Sequence, residues 1–324
     1  MRFRWLAATT FVVTYALIVL GGVVRVTESG DACPDWPRCK GELIPPLEPA
    51  VLIEFSHRLL ASIVGLLVVA TAIFAWRWQR NNLVRWGATA AVLLVGGQIV
   101  LGGLTVLNDL PPSMVTAHLA LASALLATLL IVTLVSFELQ RADSSSRQVS
   151  ITAFRNLAVF AALAIFALML TGSYVTGSGA GLAVRDWPLF NGSLLPDGGR
   201  LAMIHTMHRL AAVAVGLLLA HVAGKAWRSY RWHRPVAFGA VLALVLYVTQ
   251  VFVGAANVWT MLQPAAGAAH LALAVGLWVV LTGVAVIAHR ASQPASSYEE
   301  EMIEQQSPHV AEPATGTLPA GGAS

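Results

Sequence analysis

Charge is what this chain has least of. Only 11% of its 324 residues are Asp, Glu, Lys or Arg, against roughly a quarter in an average soluble protein. With 57% of the residues hydrophobic, that scarcity excludes an ordinary soluble domain. Cysteine is nearly absent as well, with Cys33 and Cys39 the only two. No small-x-small cleavage site follows the first apolar run, so Arg2 and Arg4 ahead of it introduce a retained helix, not a removed signal. Interrupted apolar segments and charged pathways of the transporter kind are also missing. The formal charge of +4 reflects a bias among the loops and is no sign of nucleic-acid binding.

Apolar runs, in contrast, are abundant. Eight stretches near 5–25, 51–76, 84–107, 114–136, 154–176, 201–225, 235–256 and 265–288 are each long enough to cross about 30 Å of hydrocarbon as a helix. In hydrocarbon the backbone must satisfy its own hydrogen bonds, which selects helices over open strands. Arg2, Arg4, Arg77, Arg80, Arg85, Arg141, Arg147, Arg155, Lys225, Arg228, Arg231, Arg234 and Arg290 collect on one side. The excess marks the cytoplasm, so both termini are expected there, in a multi-pass protein of the cell membrane.

The chain also repeats itself. Glu54-Phe55-Ser56-His57-Arg58 returns as His205-Thr206-Met207-His208-Arg209, and Ala117-His118-Leu119-Ala120 returns as Ala269-His270-Leu271-Ala272. His57 and His208 are 151 positions apart, as are Trp36 and Trp187 in two Asp-Trp-Pro tripeptides. His118 and His270 are 152 apart, as are Gln98 and Gln250. A register held over four landmarks signals internal duplication. The expected fold is all-α and integral to the membrane, with eight transmembrane helices in two tandem four-helix bundles. An even number of helices per copy relates the copies by a pseudo-two-fold axis along the membrane normal. The expected units are repeats at 1–136 and 154–290, a cytoplasmic linker at 137–153, and a disordered tail at 291–324.

Four histidines stand out. His57 and His118 in the first copy, and His208 and His270 in the second, fall at matching depth near the outer boundary. A single buried histidine reads as a hydrogen-bonded structural residue. Four of them, paired by repeat, read as axial ligands of haem iron, one imidazole from each face of a macrocycle between facing helices. Zinc is the alternative metal, but a tetrahedral site wants more ligands than the two each copy offers. Gly65, Gly96, Gly97, Gly102, Gly103, Gly216 and Gly254 are small enough for close packing around a bulky ring. His233, His289 and His309 fall in loops or the tail, where solvated imidazole needs no explanation, and His221 reads as structural.

The copies diverge at two places. Glu54, three positions before His57 and on the same helix face, is replaced by His205 in the second copy. Glu54 is either an interfacial carboxylate held by Arg58 or Arg25, or a base beside a reacting ring edge. The role of His205 stays open. The second divergence is Cys33-Pro34-Asp35-Trp36-Pro37-Arg38-Cys39 against Val184-Arg185-Asp186-Trp187-Pro188-Leu189-Phe190. The topology puts both cysteines outside, where disulfides persist. A structural bridge is the default, and a redox-active pair the alternative.

Taken together, the outer loop of Cys33 and Cys39 around Pro-Asp-Trp-Pro, the Glu54-x-x-His57-Arg58 run and the histidines at 118, 208 and 270 resemble haem A synthase. This is the membrane enzyme that completes the haem of cytochrome c oxidases. The likeness runs from Gly21-Gly22 to the eighth helix. It implies that haem o is oxidised to haem a, ring methyl to formyl, in two successive steps. On this likeness Glu54 is catalytic and His57 and His118 hold the substrate haem. His208 and His270 hold a resident haem b, and Cys33 and Cys39 form the outer-loop disulfide. Relatives with a second cysteine pair differ from this chain, which has Phe190 and no cysteine there. Methyl to aldehyde releases four electrons, so an acceptor, not identifiable from the sequence, is implied. With both imidazoles on the iron, water is the expected oxygen source. Contact with the synthase that supplies haem o follows from pathway logic. A dihaem electron-transfer subunit is the competing class, against which the one-sided Glu54 argues.

Overall fold

The computed structural model describes residues 3–42, 45–137, 148–193 and 198–292. Eight helices follow in order: α1 (Phe3–Val26), α2 (Pro49–Trp78), α3 (Asn82–Leu107), α4 (Pro112–Ser136), α5 (Gln148–Gly177), α6 (Arg200–Tyr230), α7 (Arg234–Trp259) and α8 (Pro264–Ala291). All eight are long and apolar enough to cross a membrane, and no strand occurs among the described residues. The chain is an all-helical, multi-pass membrane protein.

Each helix extends a little beyond its apolar run. α2, α4 and α8 open on Pro49, Pro112 and Pro264, a residue whose fixed φ suits the first turn and whose missing N–H would have no partner there. Asn81 caps α3 by accepting the Val84 N–H at 3.1 Å. α5 starts at Gln148 and so takes in part of the expected linker. Residues 138–147 of that linker and the tail from 293 onwards lie outside the described residues.

Neighbouring helices close two rings. α1 meets α2 and α4, and α3 meets α2 and α4; α5 meets α6 and α8, and α7 meets α6 and α8. The rings join through α1–α8, α4–α5 and α4–α8. At this seam the end of the Leu271 side chain lies where a Cβ on Gly22 would stand, so a larger residue at 22 would have to displace it for α1 and α8 to stay this close. Trp278 Nε1 donates to the Ser123 carbonyl at 3.1 Å, and the Tyr15 hydroxyl to the Ala272 carbonyl at 2.9 Å. In hydrocarbon such bonds are favoured because no water competes for the groups.

Two of the turns between helices share a backbone conformation. The α3–α4 turn places Asp109 and Leu110 at φ 59° and 55°, and the α7–α8 turn places Met261 and Leu262 at 53° and 63°. Each closes on the preceding helix, Leu110 N–H to Thr105 O at 2.9 Å and Leu262 N–H to Asn257 O at 2.7 Å. Residues 27–42 and 178–193 lie at the same end of the molecule as these turns, and all four histidines are near that end.

Candidate functional site

His57 is eight positions on from the start of α2 and His208 eight from the start of α6; His118 and His270 are each six on from the starts of α4 and α8. At 1.5 Å per residue the depths are about 12 Å and 9 Å in both rings. Every one of these imidazoles rests on a glycine of the preceding helix. A Cβ at Gly21, Gly102 or Gly172 would lie 3.0 Å from Cε1 of His57, His118 or His208, and one at Gly254 would lie 2.9 Å from Cε1 of His270. Glycine here makes room for a ring, and any side chain would push the ring away. This explains the glycines at 21, 102, 172 and 254, whose pairing with the histidines is invisible in a linear sequence.

Within a ring the two histidines lie in range of each other: His57 interacts electrostatically with His118, and His208 with His270. All four are half-buried. Nδ1 of His57, His118 and His270 is enclosed without a side-chain hydrogen-bond partner, the backbone at Leu17 and at Gln250 lying against the rings of His57 and His270. His208 differs. Thr171 Oγ1 lies 2.7 Å from the Leu168 carbonyl and 2.8 Å from His208 Nδ1; donating its one proton to Leu168 makes it an acceptor for an Nδ1–H, the tautomer in which Nε2 keeps the free lone pair. The residue equivalent to Thr171 in the first ring is Leu20, which offers nothing. Among the described residues no three His, Cys, Asp or Glu side chains converge. Four ligands for a bare ion are therefore not assembled, whereas two imidazoles per ring are what a porphyrin iron takes.

The loops above the rings share one construction. Asp35 accepts the backbone N–H groups of Lys40 at 2.5 Å and Gly41 at 2.8 Å. Asp186 accepts those of Asn191 and Gly192, both at 2.6 Å. In each loop the donors have positive φ, 55° and 75° in the first, 54° and 82° in the second, a turn that brings two N–H groups to one carboxylate. The N–H of Gly41, joined by that of Lys40, holds the Asp35 carboxyl below the usual range. Trp36-Pro37 and Trp187-Pro188 are both cis, and short bridges pair Cys39 with Glu42 and Phe190 with Ser193. Cys33 and Cys39 form a disulfide. Val184 and Phe190 occupy the equivalent places, so the loop shape does not depend on the bridge.

Two arginines fasten these loops to the helices. Arg58 donates to the carbonyls of Cys33 (2.6 Å), Asp35 (2.7 Å) and Arg38 (2.6 Å) and to Glu54 Oε1 (2.5 Å). Arg209 donates to Val184 O at 3.2 Å, Leu189 O at 3.1 Å and His205 Nε2 at 3.2 Å. Glu54 is 3% exposed, and its Oε2 accepts the Cys33 N–H at 2.7 Å. Its partner is therefore Arg58, not Arg25, and the carboxylate ties the disulfide loop to α2. His205 fills the same place beside Arg209. The arginine clamp escapes a sequence reading because Arg58 and Arg209 look like ordinary interfacial cations; the clue was their equal spacing from each repeated loop. His233, expected to be solvated, is instead buried at 8% exposure in the α6–α7 turn, where burial pushes its imidazole below the usual histidine range.

An eight-helix membrane protein with a histidine pair in each of two rings, and a buried carboxylate beside only one pair, is the class these features define. The chain belongs to the cytochrome oxidase assembly protein family (COX15-CtaA), whose profile matches residues 4–282. It is similar to the heme A synthase of Shouchella clausii, 31% identical over 75% of this chain and 82% of that protein. The heme A synthase of Alkalihalophilus pseudofirmus is 28% identical over 90% of this chain and 99% of its own length. That of Listeria monocytogenes is 29% identical over 86% of this chain and 93% of its own length.

Proposed function

We propose that this chain is a haem A synthase that oxidises the ring methyl of haem o to the formyl group of haem a. The observation that carries the reading is the asymmetry of two otherwise matched histidine pairs, of which one has Glu54 and the other His205. In this reading the repeat 1–136 binds substrate haem o through His57 and His118. The repeat 154–290, related to it by a pseudo-two-fold axis along the membrane normal, holds haem b through His208 and His270. Both termini face the cytoplasm and both sites lie near the outer face of the cell membrane.

The conversion is methyl plus water to aldehyde, four electrons and four protons, in two two-electron stages through an alcohol. His208 and His270 would hold the haem b, which when bound would supply one-electron transfer toward an acceptor outside the chain. Glu54 is the base for the protons released at the methyl carbon and its attacking water. Arg58 keeps three loop carbonyls whether or not it pairs with Glu54, so the carboxylate can take a proton without releasing the loop. Thr171 keeps His208 in one tautomer and orientation, as a permanently held group requires. A passing contact with the prenylating enzyme that makes haem o would deliver the substrate.

The test is extraction and chromatographic identification of pigments from the purified chain, produced in cells that make haem o. Haem b together with haem o or haem a is expected. Haem b alone would assign the chain to dihaem electron transfer instead.

A further inference from the structure

The end of the molecule opposite the histidines has a charge pattern of its own. Every Asp and Glu among the described residues, from Glu28 to Asp186, belongs to the loops, turns and helix starts at the histidine end. The opposite end carries Arg77, Arg85, Arg155, Arg228, Arg234 and Arg290. Two of these arginines, Arg155 near the start of α5 and Arg290 at the end of α8, stand beside a cavity.

The cavity measures about 680 Å³ and opens between the two rings. Ile131 and Val135 of α4 line it from the first ring, and Val159 and Leu163 of α5 from the second. Along α8 its wall runs from Trp278 to Arg290, about 18 Å of helix. Arg155, His289 and Arg290 line the same cavity at its outer end, and His289 is in electrostatic range of both arginines. Like charges brought together repel, and an anion between them turns that repulsion into attraction. Thr282, deeper on α8, also lines the cavity, and its hydroxyl is buried without a hydrogen-bond partner. A buried hydroxyl left unpaired costs free energy, so it calls for an acceptor from whatever the cavity holds.

A ligand suited to this place has an anionic head, a hydrogen-bond acceptor beneath it and a long apolar body. We propose that the cavity binds one anionic glycerophospholipid. Its phosphate would sit among Arg155, His289 and Arg290, an ester carbonyl would accept from Thr282, and an acyl chain would lie along Val159, Leu163 and Trp278. The arginine excess makes this the cytoplasmic end, where the leaflet is rich in acidic lipid and basic pockets between helices take its headgroups. The volume falls within the range of ligand sites, roughly 300–1,000 Å³. Because α4 belongs to one ring and α5 and α8 to the other, the lipid would join the two copies at the end farthest from the histidine pairs, which take no part in it.

In the test, the purified full-length chain in detergent is offered phosphatidylglycerol or phosphatidylcholine of the same acyl composition. Bound lipid is counted by native mass spectrometry. One phosphatidylglycerol per chain should be held about tenfold or more tightly than phosphatidylcholine. Arg155→Gln combined with Arg290→Gln should remove most of that preference, whereas Arg155→Lys keeps much of it. Val159→Trp, which fills the cavity and leaves the cations, should also weaken phosphatidylglycerol binding. Arg77→Gln with Arg228→Gln, at the same end but away from the cavity, should bind as the unaltered chain does. An unchanged far-ultraviolet circular dichroism spectrum reports that each variant is folded, and the comparison of the two lipids on the unaltered chain needs no variant. Equal retention of both lipids by that chain, or full binding in folded Val159→Trp, would overturn the inference. Equal loss from the two arginine pairs would assign the effect to the general field of the surface and overturn it as well. So would displacement of the lipid by an equal concentration of inorganic phosphate, which marks a site for a free anion. Phosphatidylglycerol binding that appears only after Glu299, Glu300, Glu301 and Glu304 are changed to Gln would give the cations to that acidic segment, and would likewise overturn it.

Discussion

The Glu54 carboxylate holds the backbone of Cys33 as well as the guanidinium of Arg58, so removing it alters the loop along with any chemistry. Glu54→Gln is an imperfect probe, because its amide has one acceptor oxygen to serve two donors. Glu54→His reproduces the second ring, where His205 accepts from Arg209. It should keep haem bound and the loop in place yet yield little haem a, with haem o or the alcohol accumulating; near-normal haem a would confine Glu54 to anchoring. At Thr171, substitution by valine removes the acceptor for His208 Nδ1–H. Haem b affinity should fall about ten- to a hundredfold, read by titration and the low-spin spectrum, while Leu20→Ala in the first ring leaves haem b untouched. Asp35 has a depressed carboxyl pKa, so its hold on the turn is complete above the normal carboxylate range and is lost only as acid takes the pH below it. Protease cutting in the 27–48 loop should rise in strong acid and not near neutrality.

At the scale of the element, the loop is held by a clamp and a bridge of unequal weight. Arg58→Ala would leave the carbonyls of Cys33, Asp35 and Arg38 and the buried Glu54 without their donor. The expected cost is about 3 kcal/mol or more, seen as a lower unfolding temperature and a protease-sensitive loop. Loss of the Cys33–Cys39 bridge, which closes a separation of six residues, should cost only about 2 kcal/mol in the chain-entropy model. The double Cys→Ser variant should therefore fold, as the bridge-free loop around Asp186 does. Collapse of that variant, with no haem bound in either ring, would show that the bridge is indispensable to the first loop. The helices themselves were readable from their apolar runs to within a few residues, apart from the start of α5 and the end of α6, because length and hydropathy are local properties. The clamp was not, since a guanidinium gathering carbonyls 20 to 25 positions away is a feature of the closed loop alone.

For the whole molecule, the seam between rings relies on small residues as much as on the apolar cluster of Ile18, Ala122, Leu126, Met169 and Val275. Gly22→Leu would drive a side chain into Leu271, and in close-packed interiors such crowding costs about 1–3 kcal/mol. Both rings should then bind haem less well, although neither histidine pair is touched. Gly254→Leu differs in reach: it should displace His270 and abolish the haem b spectrum while leaving the first ring's pigment. Equal losses from both rings in that variant would mean that the rings do not act as separate binding units.

From the sequence alone come the eight helices, the duplication and the four histidines. Each rests on a local or periodic property: an apolar run of fixed length, a register of 151 or 152 positions, an imidazole set among aliphatic neighbours. The one-sided glutamate is equally legible, because aligning the two copies exposes it. Tertiary structure decided what those residues touch. It seated each imidazole on a glycine of the preceding helix, gave His208 but not His57 a hydroxyl partner, and chose Arg58 over Arg25 for Glu54. These contacts depend on the rotation and spacing of adjacent helices, which packing sets across the whole ring and no short stretch of sequence encodes.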